Sequence, residues 1–231
     1  MIRLFACLGF ICLASAGSAT NDGSLQRLLT ADEAREWQAV GRINMQGAGF
    51  CTGTLIAPDL VLTAAHCMYS ARTKAEIAAH RIHFVAGWRK GWAAAHRKAR
   101  RVIIHPEFDY AATGSASRVT VDLALVELES PIRSPWSRPF DRQGPPSPGD
   151  PVTVVSYAQD RSEVPSMQAP CHMISRQSDM LLLSCDIGKG SSGAPIFVET
   201  DGIRRVASIV SAMINWDGRK VAIGAALGRE L

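Results

Sequence analysis

Short runs of β-branched and alternating residues, each cut off by glycine, proline or aspartate, dominate this chain and point it to an all-β fold. They run Val40 to Met45, Thr52 to Ile56, Leu60 to Thr63, Ile82 to Ala86, Val102 to Ile104 and Asp122 to Leu128. A second set follows at Pro151 to Tyr157, Met180 to Cys185, Ala194 to Val198, Val206 to Ser211 and Val221 to Ala225. Between the sets, Ser130 to Asp150 is dense in proline and glycine, which suits a linker between two lobes. The pattern predicts sandwich or barrel lobes over about 37–130 and 151–228, joined by about 131–150. No internal repeat is visible. A chain of 231 residues is long enough to bury a real core in either one large β-domain or two small ones.

Residues 1–19 read as an export signal: Arg3 supplies the positive start and Leu4 to Ala16 the apolar run. Small residues in Ala14-Ser-Ala16 and Gly17-Ser-Ala19 offer cleavage sites. The run is shorter than the roughly 18 apolar residues of a spanning helix. No membrane anchor is therefore expected once the signal is removed, and the protein is expected to be secreted or periplasmic. Residues 20–36 are polar and read as either a pro-segment or an N-terminal arm packed on the domain at 37–231. Thr30-Ala-Asp-Glu33 has the form of a capping box and predicts a helix there.

Cleavage of the signal removes Cys7 and Cys12 and leaves Cys51, Cys67, Cys171 and Cys185. An even number in an exported chain favours disulfides, with three connectivities open. Nearness in sequence and within one lobe favours Cys51 with Cys67 and Cys171 with Cys185. No Cys-x-x-Cys pair exists, so no metal is implied. The formal charge of +4, which becomes +3 without Arg3, is too mild to imply nucleic acid. Arg89, Lys90, Arg97, Lys98, Arg100 and Arg101, with His96 among them, form one basic cluster. It reads as an anionic-surface site or, more commonly for such runs, a solvated strand edge.

Three distant segments carry the chemistry: Thr63-Ala-Ala-His66-Cys67, Asp122-Leu-Ala-Leu-Val126 and Gly190-Ser-Ser192-Gly-Ala-Pro195. A serine hydroxyl is a weak nucleophile until an imidazole takes its proton, and a carboxylate must hold that imidazole in the right tautomer. Alone, each residue has a plainer reading: a structural histidine, a strand-capping acid, a serine in a glycine turn. An acid entering an apolar run nevertheless needs a partner, and a histidine N–H supplies one. Ser191 is the rival nucleophile, but only Ser192 falls in the Gly-x-Ser-Gly frame.

The order His66, Asp122, Ser192, together with these flanking residues, resembles the trypsin-like (chymotrypsin-fold) serine proteases from Trp37 to Gly228. The resemblance implies two packed six-stranded Greek-key β-barrels with the active site in the cleft between them. It implies His66 as general base, Asp122 as its orienting carboxylate and Ser192 as nucleophile, with an oxyanion hole from the N–H groups of Gly190 and Ser192. It also supports the Cys51–Cys67 pairing. Asp186, six residues before Ser192, stands where such enzymes place the acid that binds Lys or Arg side chains, whereas Lys189 near the rim favours acidic ones. Ser211, Ala212 and Met213 resemble the edge strand that pairs with substrate backbone, and Met213 would narrow the pocket.

Two departures place the chain closer to the bacterial branch that includes glutamyl endopeptidases. Ser191 replaces the aspartate that receives a newly cut N-terminus in the animal digestive members, and no Arg or Lys precedes Ala39-Val-Gly-Arg-Ile43 at the expected cut. The implied protein is an exported serine endopeptidase, a monomer acting on polypeptide substrate without cofactor or metal. The alternatives are a catalytically silent binding module with the same fold, or an esterase using the same triad; the Gly-x-Ser-x-Gly elbow of α/β-hydrolases is missing.

Overall fold

The computed structural model describes residues 22–112, 116–216 and 218–228, so the export-signal reading lies outside the described residues. A two-residue strand, β1 (Gln26–Arg27), precedes a set formed by β2 (Val40–Met45), β3 (Gly49–Ala57), β4 (Leu60–Thr63), β5 (Ile82–Ala86), β6 (Ala95–Ile104) and β7 (Ala124–Leu128). These six close an antiparallel barrel in the order β2-β3-β4-β7-β6-β5. Alternation explains the closure: Ile43, Leu55, Val61, Ile82, Phe84 and Val126 point inward and are fully buried. One short helix, α1 (Ala116–Thr120), lies just ahead of β7.

The second set is β8 (Pro151–Ser156), β9 (Ser166–Gln177), β10 (Met180–Leu183), β11 (Pro195–Thr200), β12 (Ile203–Trp216) and β13 (Arg219–Ala226). They run β9-β10-β13-β12-β11-β8, and β8 pairs back to β9, closing a second six-stranded barrel. β1 adds to the outside of β9 as a seventh strand, Gln26 opposite Met167 and Arg27 opposite Ser166. The two barrels are the fold expected from the chain's resemblance, and both expected disulfides, Cys51–Cys67 and Cys171–Cys185, are formed.

The connection between barrels is tacked to both. Phe140 donates its N–H to the Leu55 carbonyl of the first barrel, and Gln143 to the Val206 carbonyl of the second. Its Phe140 ring joins Trp37 and Phe197 in an aromatic cluster, with centroids 4.6 Å from Phe197 and 6.3 Å from Trp37. Arg204 lies over the Trp37 ring and pairs with Glu36 and Glu199, closing the outer side.

Three details differ from the sequence expectations. The capping box at Thr30 forms, with Glu33 N–H on Thr30 Oγ1 and Thr30 N–H on Glu33 Oε2, but the chain makes only a turn and a 3₁₀ segment, Arg35–Trp37, not a longer helix. Of the basic cluster, Arg97, Lys98, Arg100 and Arg101 lie on strand β6 while Arg89 and Lys90 precede it, and Arg100 and Arg101 both pair with Glu127 on the neighbouring β7. That carboxylate comes from 26 residues away in sequence and so was invisible in the local charge pattern. Strand β9 was missed because Pro170 interrupts it. The register shift between Val152 and Val154 of β8 sits opposite that proline, where no ladder N–H is needed.

Phe197 is buried and touches both Trp37 and Phe140 across the junction of the barrels. Phe197→Ala is expected to lower unfolding free energy by about 3–5 kcal/mol, measured by urea titration, with Phe197→Leu losing clearly less.

Candidate active site

His66 leaves β4 through extended Ala64 and enters a 3₁₀ turn, Ala65–Met68. The disulfide from Cys67 to Cys51 on β3 pins that turn to the barrel wall. The ring Nδ1 lies 2.7 Å from Asp122 Oδ2, and the His66 backbone N–H reaches Asp122 Oδ1 at 2.8 Å. An ionised carboxylate only accepts, so Nδ1 carries a hydrogen, the tautomer that in the neutral ring leaves the lone pair on Nε2.

Asp122 is 2% exposed at the mouth of β7. Its carboxylate also accepts from Ser211 Oγ, a side chain of β12 in the second barrel. Burial pushes its carboxyl up, but the hydrogen bond and charge of the His66 ring, the Ser211 hydroxyl and the His66 N–H together outweigh that effect. The group sits below its ordinary value. One buried anion thus collects donors from both barrels. Sequence reasoning placed Ser211 only on a substrate-facing edge, and its bond to Asp122 had no local signal.

Ser192 lies in the turn between β10 and β11. Gly190 (φ +100°) and Gly193 (φ +77°) both take left-handed conformations that side chains resist. At 193 space forbids a side chain as well, since a Cβ would stand 2.1 Å from Thr63 Oγ1 and 2.3 Å from the Thr52 carbonyl. The serine turn therefore packs directly on the end of β4, three residues before His66. Thr52 ties the same turn to β3, its N–H on the Ser192 carbonyl (2.9 Å) and its Oγ1 on the Gly190 carbonyl (3.0 Å). Neither threonine carries a local signal of this packing role, because it comes from what lies against them.

The amides of this turn divide into two kinds. Ser191, Gly193 and Ala194 donate to the carbonyls of Gly188, Val210 and Ser191. The N–H groups of Gly190 and Ser192 donate to no acceptor among the described residues. Two unused donors flanking one hydroxyl form an arrangement suited to a developing oxyanion. Ser191 is fully buried, its hydroxyl between the Tyr157 carbonyl and the Gly188 N–H. Ser192 is partly exposed, and its hydroxyl makes no hydrogen bond to the described residues, His66 included. Such nucleophile–base contacts often tighten only with substrate bound.

Asp186 is exposed, and its N–H donates to Gln168 Oε1 at 2.6 Å. Lys189 is also exposed, and its carbonyl accepts the Gln159 N–H. A cleft of about 460 Å³ borders His66 and Asp122 and is lined further by Val119, Ala212, Ile214 and Ile223. Met213 is 40% exposed on β12. β11 pairs with β12 only as far as Ile209, while β13 covers the other side through Trp216, so from Ser211 onward one edge of β12 is open. Cys51, Cys67 and His66 bring three metal-ligand atoms together, but both sulfurs are in the disulfide and offer no thiolate.

Comparison with known proteins bears on the family and the fold. The family model described as Trypsin matches residues 29–226. Serine protease 56 of Mus musculus is 28% identical over 155 residues, which cover 65% of this chain and 23% of that protein. Trypsin V-A of Rattus norvegicus is 25% identical over 126 residues, covering 54% of this chain and 46% of that protein. The match spans from about a quarter to under half the length of these relatives. Among solved structures, one described as Glu endopeptidase in complex with MPD superposes with a TM-score of 0.73 at 18% identity, covering 91% of this chain and 93% of that one, and so shares the fold.

Because the Asp122 carboxyl is held below its ordinary value, the folded protein binds that proton less readily than the unfolded chain. Its contribution to stability is present above about pH 4 and is lost as pH falls through the folded value. Asp122→Asn should therefore be less stable than the parent near pH 7. The gap between their urea midpoints should close as pH is lowered toward about 3.

Proposed function

The chain belongs to the trypsin family, and we propose that it is an exported serine endopeptidase working through an acyl-enzyme on Ser192. The observation that carries this reading is the Asp122-oriented His66 ring beside a serine turn whose Gly190 and Ser192 amides are unused. His66 Nε2 takes the Ser192 proton as Oγ attacks the scissile carbonyl, and Asp122 stabilises the imidazolium that forms. The oxyanion rests on the two free amides, each worth roughly 3 kcal/mol of barrier. His66 then returns its proton to the leaving amine, and water, activated by the same ring, frees the acid product.

Substrate backbone adds to the open edge of β12 at Ser211 to Met213, where main-chain hydrogen bonds give affinity without regard to sequence. Asp186 and Met213 are the groups we assign to side-chain selection. Export through residues 1–19 accords with two disulfides, and no helix among the described residues is long and apolar enough to cross a membrane.

Labelling with an organofluorophosphonate tests the nucleophile. The parent protein should take the label, Ser192→Ala should lose it along with peptide hydrolysis by on the order of a millionfold, and Ser191→Ala should still be labelled. Labelling that depends on Ser191 overturns the assignment. A parent protein that neither labels nor hydrolyses peptides supports a silent module, and one that cleaves only esters supports the esterase.

A further inference from the structure

We propose that residues 22–27 are a permanent clasp of the working protein, with Asp22 and Gln168 as positioning residues that set the active-site loop 186–192. This rests on the reading of Ser192 as nucleophile.

The clasp has two independent links to the start of that loop. In the first, one carboxylate oxygen of Asp22 accepts from Ser184 Oγ at 2.7 Å and from His172 Nδ1 at 2.8 Å. The same Ser184 hydroxyl accepts the His172 N–H at 2.8 Å. Ser184 immediately precedes Cys185, and His172 immediately follows Cys171, so the link falls beside the disulfide joining those cysteines. In the second, Gln168, 5% exposed, donates Nε2 to the Gly23 carbonyl at 2.9 Å and accepts the Asp186 N–H on Oε1 at 2.6 Å. Only one orientation of its amide serves both, because a carbonyl needs a donor and an N–H an acceptor. Gln168 is thus a two-ended strut between the arm and the first residue of the loop.

Backbone packing locks the arm in place. The Gly23 N–H donates to the Pro170 carbonyl at 2.6 Å, and a Cβ at Gly23 would stand 2.3 Å from the Ala169 carbonyl. β1 then pairs with β9, and the Leu28 N–H reaches the Pro165 carbonyl at 2.9 Å. The loop needs such a brace. Where the resemblance places an aspartate to receive a terminal amine, this chain has Ser191, a neutral hydroxyl that among the described residues bonds to the backbone of Tyr157 and Gly188. The charged anchor lies instead at the loop's opposite end, on Asp22. Removing residues 20–36 as a pro-segment would strip it away, so the arm stays.

The test uses the full secreted protein, with all kinetics read well below each variant's melting temperature. Asp22→Ala and Gln168→Leu should each lower kcat/KM for a peptide substrate by at least tenfold and slow phosphonate labelling of Ser192 in proportion. Asp22→Asn, which keeps an acceptor for Ser184, should recover most of the loss. Leu128→Ala, a buried truncation in the first barrel, should lower the melting temperature and leave kcat/KM unchanged. The N-terminus of the active protein should fall at or before Asp22. If Asp22→Ala and Gln168→Leu behave like Leu128→Ala, or if the active form begins after residue 28, the clasp is wrong while the nucleophile stands. If the parent takes no label, the peptidase reading falls instead. Amide exchange then decides the clasp: tenfold faster exchange over 186–190 in Asp22→Ala supports it, and unchanged exchange overturns it.

Discussion

A single buried carboxylate organises this molecule. Asp122 takes a backbone N–H and a ring N–H from His66 in its own barrel, and a hydroxyl from Ser211 in the other. A charge so deep is tolerable only with its lone pairs filled by donors of fixed geometry. Satisfying it therefore fixes the histidine's ring, its tautomer and the approach of β12 at one stroke. The orientation of the histidine and the docking of the barrels are one constraint.

The second constraint is contact too close for side chains. The serine turn fits against β4 because residue 193 has no Cβ to strike Thr63 and the Thr52 carbonyl. The Lys189 and Ser191 carbonyls, which share peptide planes with the Gly190 and Ser192 N–H groups, accept from the Gln159 and Ala194 N–H, so those two amides are held in place while donating to no acceptor among the described residues. In the proposed reaction, oriented donors of this kind would need no rearrangement as charge develops.

Much of this was legible in the sequence, and the physical reason is locality. Strands such as Val40–Met45 and Leu60–Thr63 announce themselves through alternation and terminating turns, and the boundaries expected for both match the structure. His66, Asp122 and Ser192 sit in short frames whose residue types follow from the chemistry. What could not be read was long-range. Glu127 pairs with Arg100 and Arg101 only because β6 pairs with β7, Ser211 reaches Asp122 only because the barrels meet, and β9 hid behind Pro170. The Thr30–Glu33 box taught the converse: its local bonds formed, but no amphipathic face followed to extend the helix.

The attachment of β1 to β9 bears on how the chain reaches its native state. Gly23 bonds to a side chain 145 residues later, and Asp22 to one 162 residues later. During synthesis residues 22–28 precede both barrels yet have nothing to hold until the chain has reached Ser184 at the end of β10. The first barrel, whose strands all lie between Val40 and Leu128, can collapse on its own while that segment waits. Closing so long a loop carries an entropic cost, which sets the docking of residues 22–28 after β9 and β10 have formed.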